Sequence, residues 1–267
     1  MIRIRAENRA YDLHRPNGCT VLTIELDQWP GNEFGLWLPE MVSCEGGRVW
    51  NNWKGDVLQT WSSQNHEWSW KKSFKDCAIT STLRVDLEAS CLWYSHEFEN
   101  TSEQTLSGLD TQTCFHLVNA PEFISIHGER IWACLDGVWT TTDKVPRCES
   151  PDPRRVSFLG KGIRSERTVI PYNNFLSATM PEQACHPLFV AERFGASGSV
   201  GIACRNFRSL FNNNDCILRC LHSEPFPIGC LPPGERAEQQ GVILFSEGDH
   251  VSMVEDFERL TGSVWGK

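Results

Sequence analysis

CLWYSHEFENTSEQTLSGLDTQTCFHLVNAPEF, Cys91 to Phe123, is the stretch on which the reading of this chain turns. From Leu92 to Phe98 one face carries Leu92, Tyr94, His96 and Phe98 and the other carries Trp93, Ser95 and Glu97. This period of two, rich in aromatic residues, predicts a strand. Asn100, Thr101, Ser102 and Glu103 then supply a turn, because short polar side chains hydrogen-bond nearby backbone. A second strand is expected from Leu106 to Leu117, where Leu109, Thr111, Thr113 and Phe115 alternate with Asp110, Gln112, Cys114 and His116. Side chains two apart on a strand share a face, so Gln112 and His116 point the same way. A polar pair on one face of a mostly apolar hairpin requires water, a buried partner or a ligand.

Outward from this stretch the pattern repeats. Cys77 to Asp86 alternates and is expected to pair with the strand from Cys91 across the turn from Leu87 to Ser90, giving a three-stranded meander. Upstream, Met1 to Ala6, Thr20 to Leu26 and Glu33 to Leu38 read as short strands separated by Asn17-Gly18 and Pro30-Gly31 turns. Downstream, Leu188 to Arg193, Ser199 to Arg205, Ile217 to His222 and Gly241 to Ser246 read as strands, and only Val251 to Leu260 has helical spacing. Many short strands with regular turn signals predict an all-β fold, an antiparallel β-sandwich with few short helices, formed by residues 1–267 as a single domain. Two segments interrupt the pattern. Gly46 to Lys75 crowds Trp50, Trp53, Trp61, Trp68 and Trp70 among polar residues and reads either as a rim loop over a cleft or as an irregular cover on the sandwich. Residues 140–184 are rich in Pro and Arg and read as a long connection with few regular runs, a wall for any cleft.

Composition narrows the partners. Of 267 residues, 40% are hydrophobic and 22% charged, an ordinary globular balance. The net charge of −9 argues against a nucleic-acid backbone or an anionic membrane surface as the main partner. No stretch approaches the roughly 18 consecutive apolar residues of a membrane helix, and the start, MIRIRAENRAYDL, has no apolar signal region, so a cytoplasmic protein is expected. Eleven Trp and 14 Phe stand against three Tyr; such rings either pack the core or stack on the flat apolar faces of sugars. The 12 Cys offer no CxxC, and Cys91, Cys114, Cys204 and Cys220 fall in expected strands, so they read as reduced core residues. Asn100-Thr101-Ser102 has the form of a glycosylation sequon, which the turn itself accounts for.

Two patches resemble the galactose mutarotase-like (aldose 1-epimerase) superfamily. QTCFHL, Gln112 to Leu117, resembles that family's HxYFNL motif: Gln112 falls where the family has its catalytic acid histidine, Phe115 matches, and His116 falls where it has asparagine. In HSEPFP, His222 falls at the family's catalytic base glutamate, Glu224 at the glutamine of its ExQxxP, and Pro227 on its proline. Leu231, Pro233, Gly234 and Glu235 match the following LxPGE, and Val242 to Phe245 the closing strand. The resemblance covers about a quarter of the chain and implies that fold, with a sugar or oligosaccharide bound in the concave face.

Mutarotation needs a base for the anomeric hydroxyl proton and an acid for the ring oxygen. Gln112 transfers no proton, so the chemistry is expected to differ. His222 is the expected base, its ordinary pKa lying near neutrality; Glu224, on the same face, is its expected orienter, and His116, sharing a face with Gln112, the expected acid. Gln112, His96, His186, Arg205, Asn213, Asp215 and Trp61 are candidate sugar contacts, being amides, charged groups and rings in turns and strands around these patches. The expected function is a carbohydrate-active epimerase, isomerase or lyase working by proton transfer; the alternative is a non-catalytic carbohydrate-binding protein. A structural role for each histidine stays open. No cofactor or metal is expected: His116, His186, His222 and Glu224 are acceptable ligand types without a short ligand spacing. Phosphate loops and dinucleotide fingerprints are absent.

Overall fold

Alternating apolar and polar residues lay this chain out as strands that bury one face in a shared core. The structure, a computed structural model, is described for residues 1–9, 19–45, 47–51, 59–145, 155–163, 169–172, 175–213, 219–262 and 265. Among these residues 20 strands form two sheets. The larger follows the order β1 (Ile2–Arg9), β2 (Cys19–Leu26), β3 (Glu33–Cys44), β9 (Leu106–Asn119), β18 (Cys220–Pro225), β17 (Phe207–Asn213), β12 (Arg155–Leu159), β14 (Phe175–Thr179) and β13 (Val169–Tyr172). Off this path, β4 (Gly47–Asn51) pairs with β3 and β19 (Ile228–Leu231) with β9. The smaller sheet runs β11 (Val138–Thr141), β10 (Ile131–Leu135), β15 (Phe189–Glu192), β16 (Ser199–Cys204), β20 (Arg236–Ser246), β8 (Cys91–Asn100), β7 (Cys77–Asp86), β6 (Glu67–Ser73) and β5 (Ser62–Gln64). Pairing is antiparallel except between β12 and β14.

The sheets close on one another through their inward residues. Leu36, Phe115, Leu117 and Leu221 of the larger sheet meet Leu83, Leu92, Ile243 and Phe245 of the smaller. Phe34 lies 5.7 Å from Phe115 and 5.1 Å from Phe123, and Trp29 lies 4.9 Å from Phe123. Burying each such side chain stabilises the fold by about 1.5–3 kcal/mol, so this layer and not the strand edges holds the sandwich. On the outer side of the smaller sheet packs α1 (His250–Thr261), which buries Met253 and Phe257. Its N-cap is Asp249, whose carboxylate accepts from the Val251 and Ser252 N–H groups at 3.1 Å.

Three sequence expectations are corrected here. The meander does not form: β7 and β8 make the expected hairpin, but β8 pairs next with β20, while β9 pairs with β3 and β18 in the other sheet. The turn after β8 is therefore a crossing between sheets. Buried Asn100 fixes it, its Nδ2 donating to the Gln104 and Leu231 carbonyls at 2.7 Å each and its Oδ1 accepting from the Ser102 N–H and hydroxyl. The Trp-rich segment, expected as a rim loop or an irregular cover, instead carries the sheet strands β4, β5 and β6, with Trp70 buried at the end of the inter-sheet core. The Pro-rich connection likewise carries β12, β13 and β14 in its described parts. None of the ten described cysteines is in a disulfide, and seven of them are buried.

Candidate functional site

The two patches singled out by sequence become neighbours. β9 and β18 pair with Cys220 opposite His116 and Leu221 opposite Phe115. Because Phe115, Leu117 and Leu221 face the other sheet, the alternate residues Asp110, Gln112, Cys114, His116, Cys220, His222 and Glu224 share the outer face of the larger sheet. Trp37 opposite Cys114 on β3, and Ser209, Phe211 and Asn213 opposite Glu224, His222 and Cys220 on β17, extend this face to four strands.

One half of the face is deeply buried. His116, Cys114, His222, Gln112 and Cys220 are at most 3% exposed. His222 is engaged at both ring nitrogens: Nδ1 lies 2.9 Å from the Gln112 amide and 3.8 Å from the Glu40 carboxylate, and Nε2 lies 3.1 Å from the Cys220 sulfur. Burial works against a charge on this ring, yet Cys220 and the Glu40 carboxylate outweigh it and raise its pKa to about 9. His116 packs edge-on against Trp37 with ring centres 4.1 Å apart. Cys114, Cys220 and His222 present ligand atoms that all lie within 4.8 Å of one another.

The other half opens toward solvent. Asp110 Oδ2 accepts from Arg208 at 3.1 Å, and the same guanidinium nitrogen stands 3.7 Å from Glu224, whose other neighbour is the Ser209 hydroxyl at 2.5 Å. Side-chain exposure here is 17% for Asp110, 29% for Arg208 and 9% for Glu224. Burial pushes the Asp110 carboxyl up to about 6, with Glu224 adding to the rise and Arg208 opposing it. Arg208 reaches this side because the β17 register shifts between Phe207 and Ser209, and such irregularities re-aim a side chain.

Of the residues expected from sequence, the structure brings together His222, His116, Gln112, Glu224 and Asn213. The carboxylate beside the His222 ring is Glu40, and Glu224 turns instead to Ser209 and Arg208. His96 sits on the inner face of the smaller sheet, where Ser81 at 2.9 Å and Thr113 at 3.0 Å hold its two nitrogens and burial lowers its pKa to about 3. His186 lies by the helix, 5.1 Å from Phe257 and 5.3 Å from Trp139, its Nδ1 accepting from the Leu188 N–H. Arg205 is exposed in the turn between β16 and β17, and Trp61 packs beside Trp70 at one end of the core. Asp215 lies outside the described residues. Sequence reading missed Glu40 and Asp110 as site residues, although Asp110 has the parity of Gln112 on β9.

This chain has the antiparallel β-sandwich fold of galactose mutarotase-like proteins. As a sequence it matches no protein-family model and none of the curated proteins. Among solved structures, the Slr1438 protein from Synechocystis is 10% identical with a TM-score of 0.50, each chain being covered over 92% of its length. A Klebsiella pneumoniae protein provisionally described as an aldose 1-epimerase is 12% identical with a TM-score of 0.50, over 100% of this chain and 88% of that one. The α-N-acetylgalactosaminidase NagBb from Bifidobacterium bifidum is 8% identical with a TM-score of 0.52, over 97% of this chain and 37% of its own. Among the described residues, no helix is long and apolar enough to cross a membrane.

Proposed function

We propose that this chain is a carbohydrate-active enzyme, an epimerase, isomerase or lyase, that transfers protons on a sugar or oligosaccharide bound over the outer face of its larger sheet. The supporting observation is the Asp110, Arg208 and Glu224 group at the solvent edge of an otherwise buried polar face. A carboxyl near pKa 6 both gives and takes a proton close to neutrality, which is what general acid–base catalysis asks of its carrier. Asp110 is the proton carrier in this reading, and Glu224 is the second carboxylate. Arg208 orients both and presents donors to sugar oxygens. Gln112 and Asn213 accept and donate to hydroxyls. His222, already engaged at both nitrogens, positions Gln112 and is no longer the base that the sequence suggested.

The test is NMR of free aldoses and uronates in heavy water, reading anomeric exchange and deuterium incorporation beside the carbonyl. The native protein should accelerate one of these, and Asp110→Asn, with its melting temperature checked, should lower the rate by about 10²–10⁴-fold. Equal rates in the two proteins would remove Asp110 from the role. Sugar binding with no exchange in the native protein would make the chain a carbohydrate-binding module, a reading that glutamine at position 112 favours, since the family resemblance places an acid histidine there.

A further inference from the structure

The buried half of the face contains a group of which the proton-transfer reading uses only His222, and that only to position Gln112. Cys114, Cys220 and His222 come from two adjacent strands, are 1%, 3% and 1% exposed, and converge with ligand atoms within 4.8 Å, the Cys220 sulfur standing 3.1 Å from His222 Nε2. Two sulfurs and an imidazole around a tetrahedral zinc ion are about 3.5–3.8 Å apart, given bonds of about 2.3 Å to sulfur and 2.0–2.1 Å to nitrogen. The 3.1 Å between Cys220 and His222 is about half an ångström short of that geometry, and the remaining ligand atoms lie within 4.8 Å.

We propose that Cys114, Cys220 and His222 bind a thiophilic metal ion, Zn²⁺, with a fourth position left for water. The chemistry around His222 supports it. A ring that ligates through Nε2 carries its proton on Nδ1 and gives it to a second group that fixes its orientation. Gln112 and the Glu40 carboxylate occupy that side, at 2.9 Å and 3.8 Å. As placed, the Gln112 amide turns its nitrogen to Nδ1 and leaves its own buried oxygen without a hydrogen-bond partner. Rotating the amide by half a turn presents the oxygen to an Nδ1–H, and the two amide orientations are nearly indistinguishable in shape. The ring nitrogen facing the sulfurs is then a lone pair. Two thiolates balance the charge of a divalent ion, and binding releases their protons. The ion ties β9 to β18 at the centre of the larger sheet.

This inference is independent of the sugar reading, since its readout involves no sugar. Protein purified under reducing conditions, equilibrated with Zn²⁺ and then freed of excess metal, should retain one zinc per chain by plasma mass spectrometry. Co²⁺ in its place should give thiolate-to-cobalt charge-transfer absorption and the visible bands of a tetrahedral site. Cys114→Ser and Cys220→Ser should each lower retained metal at least about tenfold, while the same change at exposed Cys230 leaves it unaltered. Gln112→Ala should weaken zinc by about 10–100-fold, the usual cost of losing a group that orients a ligand, and decides the matter if the cysteine variants fail to fold. A folded native protein that takes up neither ion overturns the proposal, as does metal that persists undiminished in the Cys114, Cys220 and Gln112 variants.

Discussion

His96 and His222 are equally buried, each 1% exposed, and their pKa values move in opposite directions. His96 lies between the sheets with a neutral hydroxyl on each ring nitrogen, so burial alone acts and the ring stays neutral. His222 lies on the outer face beside the Cys220 sulfur and the Glu40 carboxylate, which favour its charged form enough to overcome the same burial. Depth therefore does not decide what a buried histidine does; the neighbouring side chains do. The inner face of this sandwich uses its histidine as a strut between sheets, and the outer face gathers ionisable groups around its own.

The largest test of this contrast is the pH dependence of stability. His96 has an ordinary pKa of 6.5 when unfolded and about 3 when folded, so below pH 6.5 the unfolded chain binds the extra proton. The stability it contributes is full above 6.5 and is lost as pH falls toward 3, at about 1.4 kcal/mol per pH unit. His186, lowered to about 4 by burial, adds a second slope of the same sign over a shorter window. Urea unfolding at successive pH values should show both, and a flat profile would contradict the neutral strut. Next in size, His96→Leu strands the Ser81 and Thr113 hydroxyls and should cost about 2–4 kcal/mol at neutral pH while flattening the acid slope. On the outer face, Arg208→Met removes the cation that holds Asp110 down, so the pH–rate limb belonging to Asp110 should move upward from about 6 by about one unit. An unmoved limb would separate Asp110 from the proton transfer. The smallest effect belongs to Arg205→Ala at the exposed turn, within about 0.5 kcal/mol in stability and without change in rate.

The strands were largely legible because a period of two survives in β2, β7, β8 and β9, where each alternate side chain meets one environment. Sequence also placed Gln112 with His116 and His222 with Glu224, since parity within a regular strand needs no structure. Pairing between strands was less legible. Nothing local distinguishes a hairpin after Asn100 from a crossing, because the same polar residues turn the chain in either case. Glu40, and the face that Arg208 takes beside Asp110, were hidden for another reason: both stand where a register shifts, between Trp37 and Met41 in one case and between Phe207 and Ser209 in the other, so parity counting fails there. The sulfur and imidazole cluster was invisible because Cys114 lies far along the chain from Cys220 and His222. It exists only through the pairing of β9 with β18.

The crossing at Asn100 carries one further consequence. Asn100-Thr101-Ser102 has the form that oligosaccharide-transferring enzymes modify, yet the amide nitrogen to which a glycan would be joined is 1% exposed as part of its residue and already donates to two main-chain carbonyls. A glycan there would unseat the joint between the two sheets, so attachment is open only to the chain before it folds. Once folded, the motif is sealed by the bonds that make it a turn.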